Sequence, residues 1–222
     1  MADIVSYTLE DGVAVLTMDD GKANAMAPAM SGALNDALDR ADKEANAVVI
    51  RGRPGVFCGG FDLKIIRGDD EGLKAKMRGA GMALALRLYQ SPLPIVFACT
   101  GHAVAMGAVL LFSGDARIGV AGDFKVGLNE TAIGLALPQP ALELARDRIV
   151  PTELTNAVIL ANLYTPDEAV RVGYLDRAVA QGVFDATVMT TAKALGELDR
   201  TAFKTTKLRL RQATVERIKA SA

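Results

Sequence analysis

Glu130, in the segment Gly127-Leu128-Asn129-Glu130-Thr131, lies between two glycine-bearing loops upstream and an apolar helical region downstream. A carboxyl group in an apolar pocket is desolvated, which disfavours its charged form, raises its pKa and makes it a usable base near neutral pH. The upstream loops supply the complement. In Phe57-Cys58-Gly59-Gly60-Phe61-Asp62-Leu63 two adjacent glycines let the backbone take positive φ and bring a peptide N–H close to a ligand. Gly101-His102-Ala103-Val104-Ala105-Met106-Gly107 is a second small-residue loop that opens a helix, so its N–H groups point out of the positive end of that helix. Two such donors on one oxygen make an oxyanion hole, and each contributes roughly 3 to 4 kcal/mol to a transition state. Each loop alone also reads structurally, the first as a turn stabilised by Asp62, the second as close helix-on-sheet packing.

Other candidates carry less. His102 is the one histidine in the chain, and no Ser or acidic residue has a local reason to sit beside it, so it reads as structural. Ser113 lacks the glycine pattern of a nucleophile elbow. Asp115 and Asp123 each follow Gly directly and read as caps or element ends. Cys58 and Cys99 have no Cys or His at metal-ligand spacing, so no metal is expected, and both read as reduced thiols of a cytoplasmic protein.

The elements around these residues follow from periodicity. Ile4 to Leu9 and Val13 to Met18 flank Glu10-Asp11-Gly12 as a hairpin. Pro28 opens a helix to about Ala45, with Met30, Ala33, Leu34, Ala37, Leu38 and Ala41 on one face. Val48 to Ile50, Leu93 to Cys99 and Ala116 to Val120 read as strands. A surface loop is expected from Arg67 to Gly72, then a helix from Leu73 to Tyr89, and a loop from Gly101 to Gly107. After Gly134 helices are expected over 138–149, 151–160, 166–172, 184–195 and 201–221. Strand–helix alternation is thus confined to the first two thirds. With 222 residues, 50% of them apolar, the chain can bury a full core. A net charge of −1 with scattered Lys and Arg gives no reason to expect nucleic acid or a membrane surface as partner, and no apolar run approaches the ~20 residues of a membrane span.

Taken together and in order, these motifs resemble the crotonase superfamily, the enoyl-CoA hydratase/isomerase family, over nearly the whole chain. Phe57 to Leu63 is similar to the family's Phe-Ser-Ala-Gly-Ala-Asp-Leu loop, and Gly101 to Asp115 to its Gly-x-Ala-x-Gly-Gly-Gly segment. Within the family, Gly127 to Thr131 with Ile133-Gly134 is most similar to the Δ3,Δ2-enoyl-CoA isomerases, and Tyr164 to Asp176 resembles the stretch where a helix leads to a Gly-x-Val-Asp strand. The resemblance implies an α/β fold of the ClpP/crotonase kind, a spiral core of repeated β-β-α units (1–160) followed by a helical trimerisation segment (161–222). It implies a homotrimer or a dimer of trimers acting on an acyl-CoA thioester without metal or redox cofactor.

Carried over by position, the resemblance implies catalysis by Glu130, with the amides of Phe61 and Met106 as oxyanion donors. Substrate contacts fall at Lys22, Ala23, Gly59, Gly60, Asp62, Leu63, Lys64, Gly107 and Val109. Phe203 and Lys204, with Lys207 on the same helix, would meet the nucleotide of an adjacent subunit. Where hydratases of the family carry a second glutamate, this chain has Val109, which cannot polarise water. The expected reaction is therefore isomerisation of 3-enoyl-CoA to 2-enoyl-CoA. A hydratase or other thioester enzyme, and a non-catalytic acyl-CoA-binding protein, are the alternatives.

Overall fold

The computed structural model describes residues 3–220. Its first hairpin joins β1 (Val5–Glu10) to β2 (Val13–Met18) through Asp11 and Gly12, both at positive φ, as a two-residue hairpin turn needs. Then follow α1 (Pro28–Glu44), β3 (Ala47–Arg51), β4 (Gly55–Cys58), α2 (Leu63–Arg67), α3 (Glu71–Tyr89), β5 (Ile95–Cys99), β6 (Gly101–Val104), α4 (Met106–Phe112), β7 (Ala116–Val120) and β8 (Val126–Gly127). The chain continues with a 3-10 turn at Thr131–Ile133, α5 (Gln139–Arg148), a second 3-10 turn at Pro151–Glu153, a π-helical turn at Thr155–Ile159, α6 (Pro166–Val172), β9 (Arg177–Val179), α7 (Gln181–Gly196) and α8 (Arg200–Ala220). The expected helix over 201–221 is thus α8, with Ser221 lying outside the described residues.

Three successive β-β-α units build the core. In each, the first strand joins a six-stranded sheet of order β1-β2-β3-β5-β7-β9, parallel from β2 onward, and the second joins a three-stranded parallel sheet of order β4-β6-β8. The inner strands β2, β3, β5 and β7 of the large sheet are covered on both faces, which is why they are near-continuous apolar runs. Successive side chains alternate between faces. Ala14, Leu16, Val48, Ile50 and Phe97 enter the main core with α1 and α3, whereas Val13, Val15, Val49, Val96 and Ile118 pack under Phe184, Val188 and Ala192 of α7.

Four sequence expectations differ from the fold. Gly101–Val104 is the strand β6 and not a loop, because a glycine there lets β6 pair closely with the start of β4, where a β-carbon on Gly101 would lie 2.0 Å from the Gly55 carbonyl carbon. The loop expected at Arg67 to Gly72 shrinks to three residues. Asp62 caps α2 by accepting the Lys64 N–H at 2.8 Å, and Asp70 caps α3 by accepting that of Leu73 at 2.8 Å, so Glu71 and Gly72 are already helical. The segment 151–160 is two tight turns, one of them π-helical, in place of one α-helix. Alternation also runs beyond the first two thirds: β9 pairs in parallel with β7. It is a three-residue strand beginning with an exposed arginine, too short to show a period.

Candidate active site

Three loops meet at the carboxyl ends of the small sheet. The Asp20 carboxylate accepts the N–H groups of Lys22, Asn24 and Ala25, and the fully buried Asn24, at φ 50°, donates to the carbonyls of Met18 and Phe57. That turn is laced to the next loop by Gly59 N–H to Ala23 O at 2.8 Å and Met26 N–H to Gly60 O at 2.7 Å. Gly60, at φ 100°, faces the third loop, where a β-carbon on it would lie 2.9 Å from Ala105 Cβ and 3.6 Å from Met106 N. Ala105 itself holds φ 52°, ψ −124°, a conformation costly for any residue with a β-carbon, at the start of α4. Gly107 sits too close to Cys58 for any side chain, since a β-carbon there would lie 2.2 Å from Cys58 O.

The outcome is that the residues after Gly60 and after Ala105, Phe61 and Met106, are adjacent, and neither gives its N–H to a backbone carbonyl. As first residue of α4, Met106 has no intrahelical acceptor. Its side chain is buried, and the Phe61 ring fills the space left by Gly81 of α3, where a β-carbon would come within 2.6 Å of the ring.

Glu130 enters from the end of β8. Gly127, at φ 153°, turns the chain there against Asn162 O and Leu163. The following segment is fastened at two points, Leu128 N–H to the Tyr174 hydroxyl at 3.3 Å and Thr131 Oγ1 to Val158 O at 3.1 Å. Glu130 Oε2 and Asn129 Oδ1 are buried without a hydrogen-bond partner. Burial pushes the Glu130 carboxyl above its ordinary value of 4.5, against the opposing pull of its own and the Asn129 backbone N–H groups. Glu130 opens onto a cavity of about 340 Å³, within the range of ligand sites, whose wall includes Gly59, Phe61, Leu63 and Ala105.

Of the residues singled out in the sequence, Glu130, Phe61, Gly59 and Leu63 line this cavity. Gly60, Asp62 and Gly107 shape the loops behind it, and Val109 is buried in α4, outside the lining. Lys22 and Ala23 are exposed on the neighbouring loop, and Lys64 is exposed in the first turn of α2. Phe203 lies elsewhere, in a groove of about 490 Å³ between the α7–α8 turn and the core, and Lys204 is exposed outside both linings. Lys207 is buried and ion-paired with Asp115 at 2.6 Å, beside Arg211 at 3.0 Å from the same carboxylate. His102 accepts the Lys125 N–H and packs edge-on to Phe124. Both thiols are buried and pushed up to about 12 by desolvation.

Ile66, Arg67, Ala105, Asn129, Ile133 and Leu135 also line the cavity and escaped sequence reasoning. Ile133 carried a signal: it belongs to the Ile133-Gly134 pair that follows Gly127 to Thr131 in the isomerase-like segment, and it is half-exposed.

The chain matches the family model described as enoyl-CoA hydratase/isomerase over residues 8–221. It is 30% identical over 211 residues to human mitochondrial enoyl-CoA delta isomerase 1, covering 93% of this chain and 70% of that one. An enoyl-CoA hydratase/isomerase family protein from Pseudomonas syringae is 41% identical with a TM-score of 0.95, over 99% of this chain and 95% of that chain. A Mycobacterium tuberculosis structure described as an enoyl-CoA isomerase is 41% identical with a TM-score of 0.94, over 100% and 96% of the two chains. A second structure of that same protein, described as a probable enoyl-CoA hydratase, is also 41% identical, with a TM-score of 0.95 over 99% and 93%.

Proposed function

The chain belongs to the enoyl-CoA hydratase/isomerase family, with the crotonase fold and an acyl-CoA thioester as substrate, and from that premise we propose that it isomerises 3-enoyl-CoA to 2-enoyl-CoA through Glu130 alone. One observation carries this reading: Glu130 is the single carboxylate in the cavity wall among the described residues, and it is desolvated with one oxygen unpaired. The C2 proton of a 3-enoyl thioester is acidic because the resulting carbanion spreads into the carbonyl and the alkene. Glu130 takes that proton, the Phe61 and Met106 amides hold the thioester oxygen as it gains charge, and the protonated Glu130 returns the proton to C4. Hydration needs a second group to orient water, and the position where the resemblance puts that group is Val109, buried outside the cavity.

In this reading Lys22 and Lys64, exposed beside the two oxyanion loops, meet the CoA phosphates. The helices after residue 160 pack across subunits of a trimer, with Phe203 and Lys204 near a neighbour's nucleotide; native mass measurement counts the chains. The reaction is tested by offering 3-enoyl-CoA and 2-enoyl-CoA separately. Conversion of the first, with little 3-hydroxyacyl product from the second, is expected, and Glu130→Gln should lose turnover by about a hundredfold or more while still binding acyl-CoA. A 3-hydroxy product as the main outcome means a hydratase, and tight binding with neither turnover means a binding protein.

A further inference from the structure

Tyr174 stands behind the cavity, fully buried, where it contacts both the segment that carries Glu130 and the helix that begins at Met106. Its hydroxyl accepts the N–H of Leu128, two residues before Glu130, and donates to Ala157 O at 3.4 Å. Its ring stacks on Phe112, the last residue of α4, with centroids 5.1 Å apart and planes at 26°. The first residue of that helix is Met106, the second oxyanion donor. Ala157 and Val158, whose carbonyls hold Tyr174 and Thr131, belong to the π-helical turn, a geometry that departs from the i−4 ladder and is frequent at functional sites.

The position of Tyr174 is itself fixed. Gly173, at φ 107°, ends α6 where a β-carbon would lie 2.3 Å from Arg148 O, and Arg117 ties Gly173 O at 2.6 Å and the Asp176 carboxylate. Tyr174 N–H reaches Ala169 O. A rigid corner thus presents one phenol to the strand end that carries the base.

We propose that Tyr174 is a positioning residue for Glu130, a brace that sets the depth of the carboxylate relative to the oxyanion amides. The inference rests on the isomerase reading of Glu130. A misplacement near 1 Å at a reacting group costs about a hundredfold in rate, and loss of one of two fastenings should cost less.

Tyr174→Phe keeps the stacked ring and removes the hydroxyl. The expected result is a kcat for 3-enoyl-CoA lowered about tenfold with KM changed less than twofold, and an acidic limb of the kcat–pH profile displaced to lower pH as Glu130 becomes better solvated. Tyr164→Phe is the control: it removes a buried, unpaired hydroxyl from the adjacent ring, 5.9 Å away, and should leave both readouts at the parent's values. Should Tyr174→Phe not fold, 3-fluorotyrosine placed at 174, whose oxygen is a weaker acceptor, takes its place, with a kcat loss of twofold or more expected. Parent-like kcat and pH profile in the folded variant overturn the brace, as does an equal loss in Tyr164→Phe. Absence of 3-enoyl-CoA turnover in the parent protein overturns the isomerase reading itself, and the brace with it.

Discussion

Gly60 and Ala105 oppose each other with no room for another carbon between them, and the amides of Phe61 and Met106, the proposed oxyanion donors, stand on the residues that follow them. A methyl group at Gly60 meets Ala105 Cβ at 2.9 Å and requires positive φ of a residue that avoids it. Gly60→Ala is expected to spread the loops, lowering kcat by roughly a hundredfold and stability by about 2 kcal/mol. Steady-state kinetics and a urea titration read the two effects separately. Parent-like kcat would show that the loops need not be this close.

Ala105 carries the opposite expectation. Its φ of 52° and ψ of −124° suit glycine, so Ala105→Gly relieves strain in the folded state while adding freedom to the unfolded one. The first effect is the larger for a residue in this region, and a gain of about 1 kcal/mol is expected. A lower denaturation midpoint in the variant would mean that the backbone strain has been overestimated.

Gly81 and Phe61 form a pair that a double-mutant cycle isolates. A methyl at Gly81 would sit 2.6 Å from the Phe61 ring and push the Gly59-Gly60-Phe61 loop, so Gly81→Ala is expected to lower kcat several-fold. Phe61→Ala leaves the backbone donor in place and removes the collision. The double variant should then turn over faster than Gly81→Ala alone. Additive losses would place the effect of Gly81 somewhere other than the ring.

How much of this was legible in the sequence depended on whether a signal was local. Pro166–Val172 could be read end to end because Thr165 and Glu168 make a capping box and Gly173 takes the left-handed conformation that stops a helix. Glu130 and the two loops were readable as chemistry because residue type and order suffice there. β6 was hidden, since its glycine, histidine and alanine show no strand propensity and owe their extended form to neighbours β4 and β8. The cavity wall drew on residues 59–67, 105 and 129–135, a convergence that only tertiary structure creates. Lys207 was read with Phe203 and Lys204 as a nucleotide contact because nothing near it in sequence announces Asp115 beneath it.

That buried cluster yields its own expectation. Asp115 accepts Lys207 and Arg211, which have side chains only 4% and 6% exposed, as well as the Ile95 N–H. Burial depresses the Lys207 ammonium to about 8 in spite of Asp115, so desolvation outweighs the attraction. Asp115→Ala strands two cations and should cost about 3 to 5 kcal/mol. Lys207→Met leaves Arg211 on the carboxylate and removes a desolvated charge, so a change within about 1 kcal/mol is expected. Equal losses in the two variants, measured by chemical denaturation, would contradict this account.

Glu130 links stability to pH with a sign opposite to that of a paired carboxylate. Its folded-state pKa is raised above 4.5 by burial, so below 4.5 the group is neutral in both states and costs nothing. As pH climbs through 4.5 the unfolded chain releases the proton while the folded chain retains it, and stability falls until pH passes the raised value. Glu130→Gln has no proton to release. The variant should therefore match the parent below pH 4.5 and become the more stable of the two above it. Over the same window kcat of the parent should rise with pH as the base ionises. Melting curves at a series of pH values settle the point: a stability difference that stays constant from acid to neutral pH would mean that the carboxylate is not desolvated, and the single-base mechanism would lose its base.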